Sequence, residues 1–215
     1  MNMNMKRLPG DIAHTNGIKT LLSELNTRES KGINILINNA GVSPEHRASD
    51  HFTAHSINFS DPVDVSRWMT LDDTEAWRQA YAGNVACHHF FTAALLPLLD
   101  KGRTATPGLS ASIINISSAA GLTKSSSRGQ FAYSSSKAAF LHLTKEWAST
   151  FSPLRIRVNC IAPGPFPTEM TTGHIDGNLK SDLGPEAGKN LPSGLSFFSF
   201  MAPHFSSFLS LQCNE

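Results

Sequence analysis

The chain has 215 residues, enough for one domain with a sizeable core. Hydrophobic residues make up 40% and charged residues 16%, the balance of a globular protein rather than a disordered one. With a formal net charge of +1 and no cluster of Lys and Arg, no nucleic-acid or anionic-membrane partner is expected. Cys87, Cys160 and Cys213 are too few and too scattered for a disulfide framework or a zinc site, and no metal site is expected. Cys160 sits in an apolar run and reads as a buried, inert thiol. The first residues contain no apolar core of a secretory signal, and the apolar stretch near the C-terminus is interrupted by Pro203, His204 and serines, so a cytoplasmic protein without a membrane span is expected.

In chain order, Ile18, Leu21, Leu22 and Leu25 recur at helical spacing, with Thr15 or Asn16 as candidate caps. Residues 33–38 form a short β-branched run that reads as a buried parallel strand. Residues 43–71 are polar and irregular. Their histidines, His46, His51 and His55, lack a common register, so a solvated loop is predicted in preference to a metal site. A long helical pattern covers about 73–99, and Pro97 should kink or finish it. A second strand is predicted at 112–117, a third helix at 131–150 and a third strand at 155–160. Strands alternating with helices predict a parallel sheet with helices on both faces, whose ligands gather at the carboxyl ends of the strands. Beyond Gly173 the composition turns to Gly, Pro, Asn and Ser, and no place in the sheet is assigned to it.

Tyr133 and Lys137 are spaced i, i+4 on the predicted third helix and so share a face. A nearby ammonium favours a phenolate, which a tyrosine acid or base near neutral pH needs. Ser118 directly follows the second strand, where its hydroxyl could hold a substrate oxygen; a chain-turning serine is the plain alternative. Asn84 lies inside the long helix, where asparagine is mildly unfavourable, with a buried structural role as its alternative. Asn38, Asn39, Ala40 and Gly41 end the first strand with small residues that let a flat ligand approach. Pro163 and Gly164 end the third strand, with Thr168 five residues after Pro163.

Taken together, these motifs resemble the short-chain dehydrogenase/reductase family, from about residue 8 to residue 170. The resemblance lies in Asn-Asn-Ala-Gly at 38–41, Asn84, Ser118 within Ile-Ser-Ser-Ala-Ala-Gly at 116–121, Tyr133 with Lys137, and Pro163-Gly164 with Thr168. It implies a Rossmann-like doubly wound α/β fold and an oxidoreductase that interconverts a carbonyl and a secondary alcohol. Asn84, Ser118, Tyr133 and Lys137 are then the catalytic residues. Tyr133 exchanges the proton, Lys137 lowers its pKa and binds the nicotinamide ribose, Ser118 positions the substrate oxygen, and Asn84 holds a water that extends the relay. The cofactor is NADP(H) or NAD(H), with NADP(H) favoured. Asp11, Asn39, Ala40, Gly41, Tyr133, Lys137, Pro163, Gly164, Phe166 and Thr168 are its expected contacts, Asp11 at the adenine and at the end of a strand. Within the family the motifs look most like fungal 3-oxoacyl-[acyl-carrier-protein] reductase-type members, including those labelled for rhamnolipid biosynthesis. The span from Ser118 to Tyr133 is slightly long and implies an enlarged loop near 124–129.

The family's glycine-rich TGxxxGxG turn, which receives the cofactor pyrophosphate, does not occur in these 215 residues. The resemblance therefore implies a partial nicotinamide-binding domain over residues 1–172, lacking the first two strands and the last strand. It leaves a divergent segment over 173–215, as in an incomplete gene model or a splice product. The partners expected are a small carbonyl or alcohol substrate and a second copy of the chain, joined through the long helices. The rival expectation is a non-catalytic remnant that packs against a full-length relative.

Overall fold

The computed structural model describes residues 8–124 and 127–164. Helix α1 (Thr15–Arg28) leads to strand β1 (Ile35–Asn38). Helices α2 (Arg47–Ala54) and α3 (Pro62–Met69) come next. Helix α4 (Thr74–Tyr81) continues through a π-helical turn (Ala82–Ala86) into α5 (Cys87–Ala105). Strand β2 (Ala111–Ile116), helix α6 (Phe131–Thr150) and strand β3 (Ile156–Ile161) complete the described part. The three strands pair in parallel in the order β1-β2-β3.

Register decides which side chains meet. Leu36, Ile113 and Val158 form one row across the sheet, and Asn38, Asn115 and Cys160 another. Both rows point to the side where α1, α5 and α6 pack, with Leu21, Phe91, Leu95, Phe140 and Trp147 in one continuous core. The side chains between these rows point the other way, and Ile35 and Ile161 remain 52% exposed. The sequence reads these strands as covered on both faces; in the described residues the core lies on one. The polar row is satisfied within itself. Asn38 Nδ2 donates to Asn115 Oδ1 and to Thr92 Oγ1, both at 2.9 Å, and Asn115 Nδ2 donates to Thr144 Oγ1 at 2.9 Å. This network ties β1, β2, α5 and α6 together. Asn115→Ala would take one partner each from Asn38 and Thr144 and leave a gap in a dry core, and should cost about 2–4 kcal/mol in urea unfolding. A loss below about 0.5 kcal/mol would show that the network contributes little.

Several sequence expectations are corrected. Residues 43–71 are not a solvated loop, because they hold α2 and α3 around the buried Trp68, whose Nε1 donates to the Ala48 carbonyl at 2.9 Å. Three aromatic rings, Phe52, Phe59 and Phe131, surround that indole. Their spacing is hard to see in sequence because the two helices are short and bury few residues each. Pro97 does not end the long helix, which runs on to Ala105. Helix α1 is preceded by His14 at the cap position, without the side-chain bond expected of Thr15 or Asn16. Residues 8–13 form no strand. Cys160 is half-buried rather than buried, and its thiol is pushed up by burial. The continuous helix from Thr74 to Ala105 is long and apolar enough to cross a membrane by length and composition. Its Phe91, Leu95, Leu98 and Leu99 are in the protein core, which accounts for that apolarity.

Candidate active site

The carboxyl ends of the three strands lie side by side because the strands are parallel and in register. Ser117 N donates to the Ile161 carbonyl and Ala119 N to the Pro163 carbonyl, both at 2.8 Å, which sets Pro163 and Gly164 beside Ser118. Ser117 is buried and donates to the Lys137 carbonyl at 2.7 Å, so of the two serines it is the structural one. Ser118 is only half-buried, and its Oγ accepts from Ala120 N at 3.2 Å.

Helix α6 presents Tyr133 and Lys137 to this edge. Lys137 is 4% exposed, and its Nζ donates to the Ile116 carbonyl at 3.1 Å. Burial pulls the ammonium down to about 8, with the thiols of Cys160 and Cys87 acting the other way. Nζ stands 5.8 Å from the centroid of the Tyr133 ring. The phenol is pushed above its ordinary value by burial, while a hydrogen bond with the Ser118 hydroxyl pulls it back. In this arrangement burial outweighs the pull of the Ser118 hydroxyl. The phenol is therefore protonated at neutral pH.

The π-helical turn carries Asn84, which is fully buried. An extra residue per turn is a frequent way of aiming a side chain at a functional site. Asn84 Oδ1 accepts from Val42 N at 2.8 Å, and its Nδ2 donates to the Val42 carbonyl and to Ser136 Oγ, both at 2.9 Å. These bonds make it a clamp between the end of β1 and α6, the structural alternative that the sequence left open. One helical turn later, His88 does a similar service. Its ring nitrogen Nε2 lies 2.8 Å from the Ala40 carbonyl, which can only accept, so Nε2 carries the hydrogen. The other nitrogen, Nδ1, is buried with no partner among the described residues, and the ring stacks on Phe140. Sequence reasoning passed over His88; its one signal is its position four residues after Asn84.

Burial pulls His88 down to about 4, the Ala40 bond opposes this, and the charge of Lys137 adds to it. The folded value lies below the unfolded one of 6.5, so the unfolded chain takes up the proton first. Stability should fall as pH drops from 6.5 towards 4, by about 3 kcal/mol from this group. His88→Gln, which keeps a donor for Ala40, should remove that component. Urea unfolding at neutral pH and near pH 4 checks it; the same acid loss in both chains would refute the assignment.

Gly41 lies where backbone and ammonium meet. A Cβ there would stand 3.1 Å from Asn84 Oδ1 and 3.2 Å from Lys137 Nζ. At Gly164 a Cβ would meet nothing within 4 Å among the described residues. The strand ends therefore form an open rim of small residues around a buried ammonium. These features suit a nicotinamide ribose and ring, with Asn39 exposed and Ala40 and Gly41 half-exposed on that rim. Asp11 is engaged locally: its carboxylate accepts from Ala13 N at 2.7 Å and meets His14 Nδ1 at 2.8 Å. Phe166 and Thr168 lie outside the described residues, as does the segment 173–215.

The family model for short chain dehydrogenase matches residues 2–178. The chain belongs to this family. Among relatives of the chain, the short-chain dehydrogenase/reductase PhomF' of Diaporthe leptostromiformis is 32% identical over 181 residues, covering 80% of this chain and 56% of its own. The 3-oxoacyl-[acyl-carrier-protein] reductase FabG of Chlamydia pneumoniae is 28% identical over 210 residues, covering 94% of this chain and 71% of its own. The chain thus spans little more than half of one relative and less than three-quarters of the other. Among solved structures, the Pseudomonas aeruginosa RhlG/NADP active-site complex superposes with a TM-score of 0.59 at 28% identity, covering 76% of this chain and 54% of that one. A Brucella ovis short-chain oxidoreductase with partially ordered NAD gives 0.56 at 27% identity, covering 75% and 63%. The Rossmann-like fold expected from the sequence is the fold of this chain.

Proposed function

We propose that this short-chain dehydrogenase is an oxidoreductase that interconverts a carbonyl and a secondary alcohol with a nicotinamide cofactor, and that its substrates are 3-oxoacyl compounds. The observation that carries the reading is the meeting of Tyr133, Ser118 and Lys137 at the carboxyl ends of β2 and β3 and the start of α6. Similarity to FabG supports the substrate class and the reductase-type choice of NADP(H), while similarity to the NADP complex of RhlG and to the Brucella ovis structure with NAD supports a nicotinamide cofactor of either form.

In the reductive direction the catalytic acid must still hold its proton at working pH. Tyr133 meets that requirement, since its phenol is raised rather than lowered. Ser118 holds the substrate oxygen beside the phenol. Lys137 steadies the proton donor electrostatically and offers the ribose the ammonium hydrogens not taken by Ile116. Asn39, Ala40, Gly41, Pro163 and Gly164 line the nicotinamide half of the cofactor, while Asn84 and His88 fix the turn on which three of them stand. Hydride is supplied by the nicotinamide when it is bound. A homo-oligomer contact belongs on the outward side of α4 and α5, where Trp77, Tyr81 and Phe90 are exposed.

The test combines a thermal melt with an absorbance assay on the purified chain. Cofactor at about a hundred times its dissociation constant adds roughly 2.7 kcal/mol of apparent stability. The expected result is a melt raised more by NADPH than by NADH, and NADPH oxidation that depends on a 3-oxoacyl thioester. A cooperative melt that ignores both cofactors would refute this reading and favour the non-catalytic one.

A further inference from the structure

Glu45 is a second residue that sequence reasoning passed over. It is the only acidic side chain between the end of β1 and α2, and it is 2% exposed. Both carboxylate oxygens face the first turn of α6. Oε1 accepts from Ala132 N at 2.7 Å and Oε2 from Tyr133 N at 2.6 Å. These are the second and third positions of the helix, whose backbone N–H groups lack intrahelical partners and are usually met by a capping side chain. Here the cap position is Gln130, which makes no such bond. Its amide instead donates to Ser43 Oγ at 3.0 Å. A residue 87 positions away thus supplies what position 130 does not.

The surroundings fix Glu45 in turn. Gly129 has φ +94, and a Cβ there would stand 2.9 Å from Ala48 Cβ and 3.0 Å from Trp68 Nε1. The Phe131 ring packs edge-on against Trp68 at 5.3 Å. Asp72 accepts from Arg47 N and Ala48 N at 3.2 and 3.0 Å, holding the start of α2. Every residue from Gly129 to Tyr133 is therefore packed against, or bonded to, the segment that contains α2 and α3.

We infer that Glu45 is a positioning residue for Tyr133: through it the α2–α3 segment sets where the reactive phenol stands relative to Ser118. The inference rests on the role proposed for Tyr133. A plain helix cap would only steady α6, whereas a tether also registers the tyrosine against a second body.

The test needs no turnover, so its failure is distinct from failure of the proposed activity. The chain contains two tyrosines, so Tyr81→Phe with fluorotyrosine incorporation leaves Tyr133 as the single 19F label. In Glu45→Ala, hydrogen exchange at Ala132 and Tyr133 should quicken about tenfold or more, and the 19F resonance should move towards that of free tyrosine. Adding Gln130→Asp restores a cap within the helix. Amide protection should then return while the 19F resonance stays displaced. Recovery of both by Gln130→Asp would overturn the tether, and so would a Glu45→Ala chain that changes in neither. Should Glu45→Ala fail to fold, Glu45→Gln, which keeps the shape and one acceptor, is read by the same two signals with the same two overturning outcomes.

Discussion

Replacing Tyr133 with phenylalanine should lower the rate of carbonyl reduction by about 10²–10⁴-fold, the usual contribution of a positioned acid. The substitution deletes one hydroxyl and leaves the ring in place. The two bonds from Glu45 reach the backbone of Ala132 and Tyr133, not the phenol, so α6 should keep its first turn. Lys137 keeps its bond to Ile116, so cofactor binding should survive. The measurement is therefore paired: the turnover rate collapses while the cofactor-induced rise in melting temperature stays within error of the parent. A residual rate within tenfold of the parent would move the proton donor to some other group. Ser118 is the natural second candidate, since it shares a hydrogen bond with the same phenol.

Lys137→Met should make the protein more stable and nearly inactive. The ammonium is buried, its bond to a described residue is to one carbonyl, and its folded value of about 8 lies below the unfolded 10.5. A cation whose value is depressed on folding opposes folding wherever it is charged. The cost is fully present below about pH 8 and fades as pH rises from there towards 10.5. That shift corresponds to about 3 kcal/mol at neutral pH. Methionine fills similar volume without the charge, and the lost bond to Ile116 returns about 1 kcal/mol of the gain. Urea unfolding at pH 7 should therefore show about 2 kcal/mol of added stability. The parent's rise in stability between pH 8 and 10.5 should disappear in the variant. A variant less stable than the parent at pH 7 would mean that the ammonium is better solvated or better paired than its burial implies. The trade is physically reasonable, because a site that must bind a ligand holds a charge in place before the ligand arrives.

Much of this was legible from the order of residues alone. The three strands and the helix carrying Tyr133 and Lys137 have local signatures, namely β-branched runs and a long helical pattern, and they fall within about two residues of where the sequence places them. Parallel pairing then follows from the intervening helices, and the strand ends from the pairing. Asn84, Ser118, Tyr133 and Lys137 could be named together because they resemble the motifs of the short-chain dehydrogenase/reductase family; helix spacing alone pairs only Tyr133 with Lys137.

What the sequence could not reveal depends on contacts between distant segments. Whether Asn84 relays a proton or clamps a turn depends on where Val42 and Ser136 stand, 42 and 52 residues away. The direction of the Tyr133 shift depends on how deeply the ring is buried, a property of packing and not of spacing. Residues 43–71 read as a loop because each of their helices hides little by itself, and only Trp68, closed in by Phe131 and Gly129, gives them a core. Glu45 shows the difference most clearly. In sequence it is one acid between a proline and a histidine, with no period or motif to mark it. The fold alone brings it to two backbone N–H groups that their own helix leaves unmet, and there a buried carboxylate holds the start of the catalytic helix.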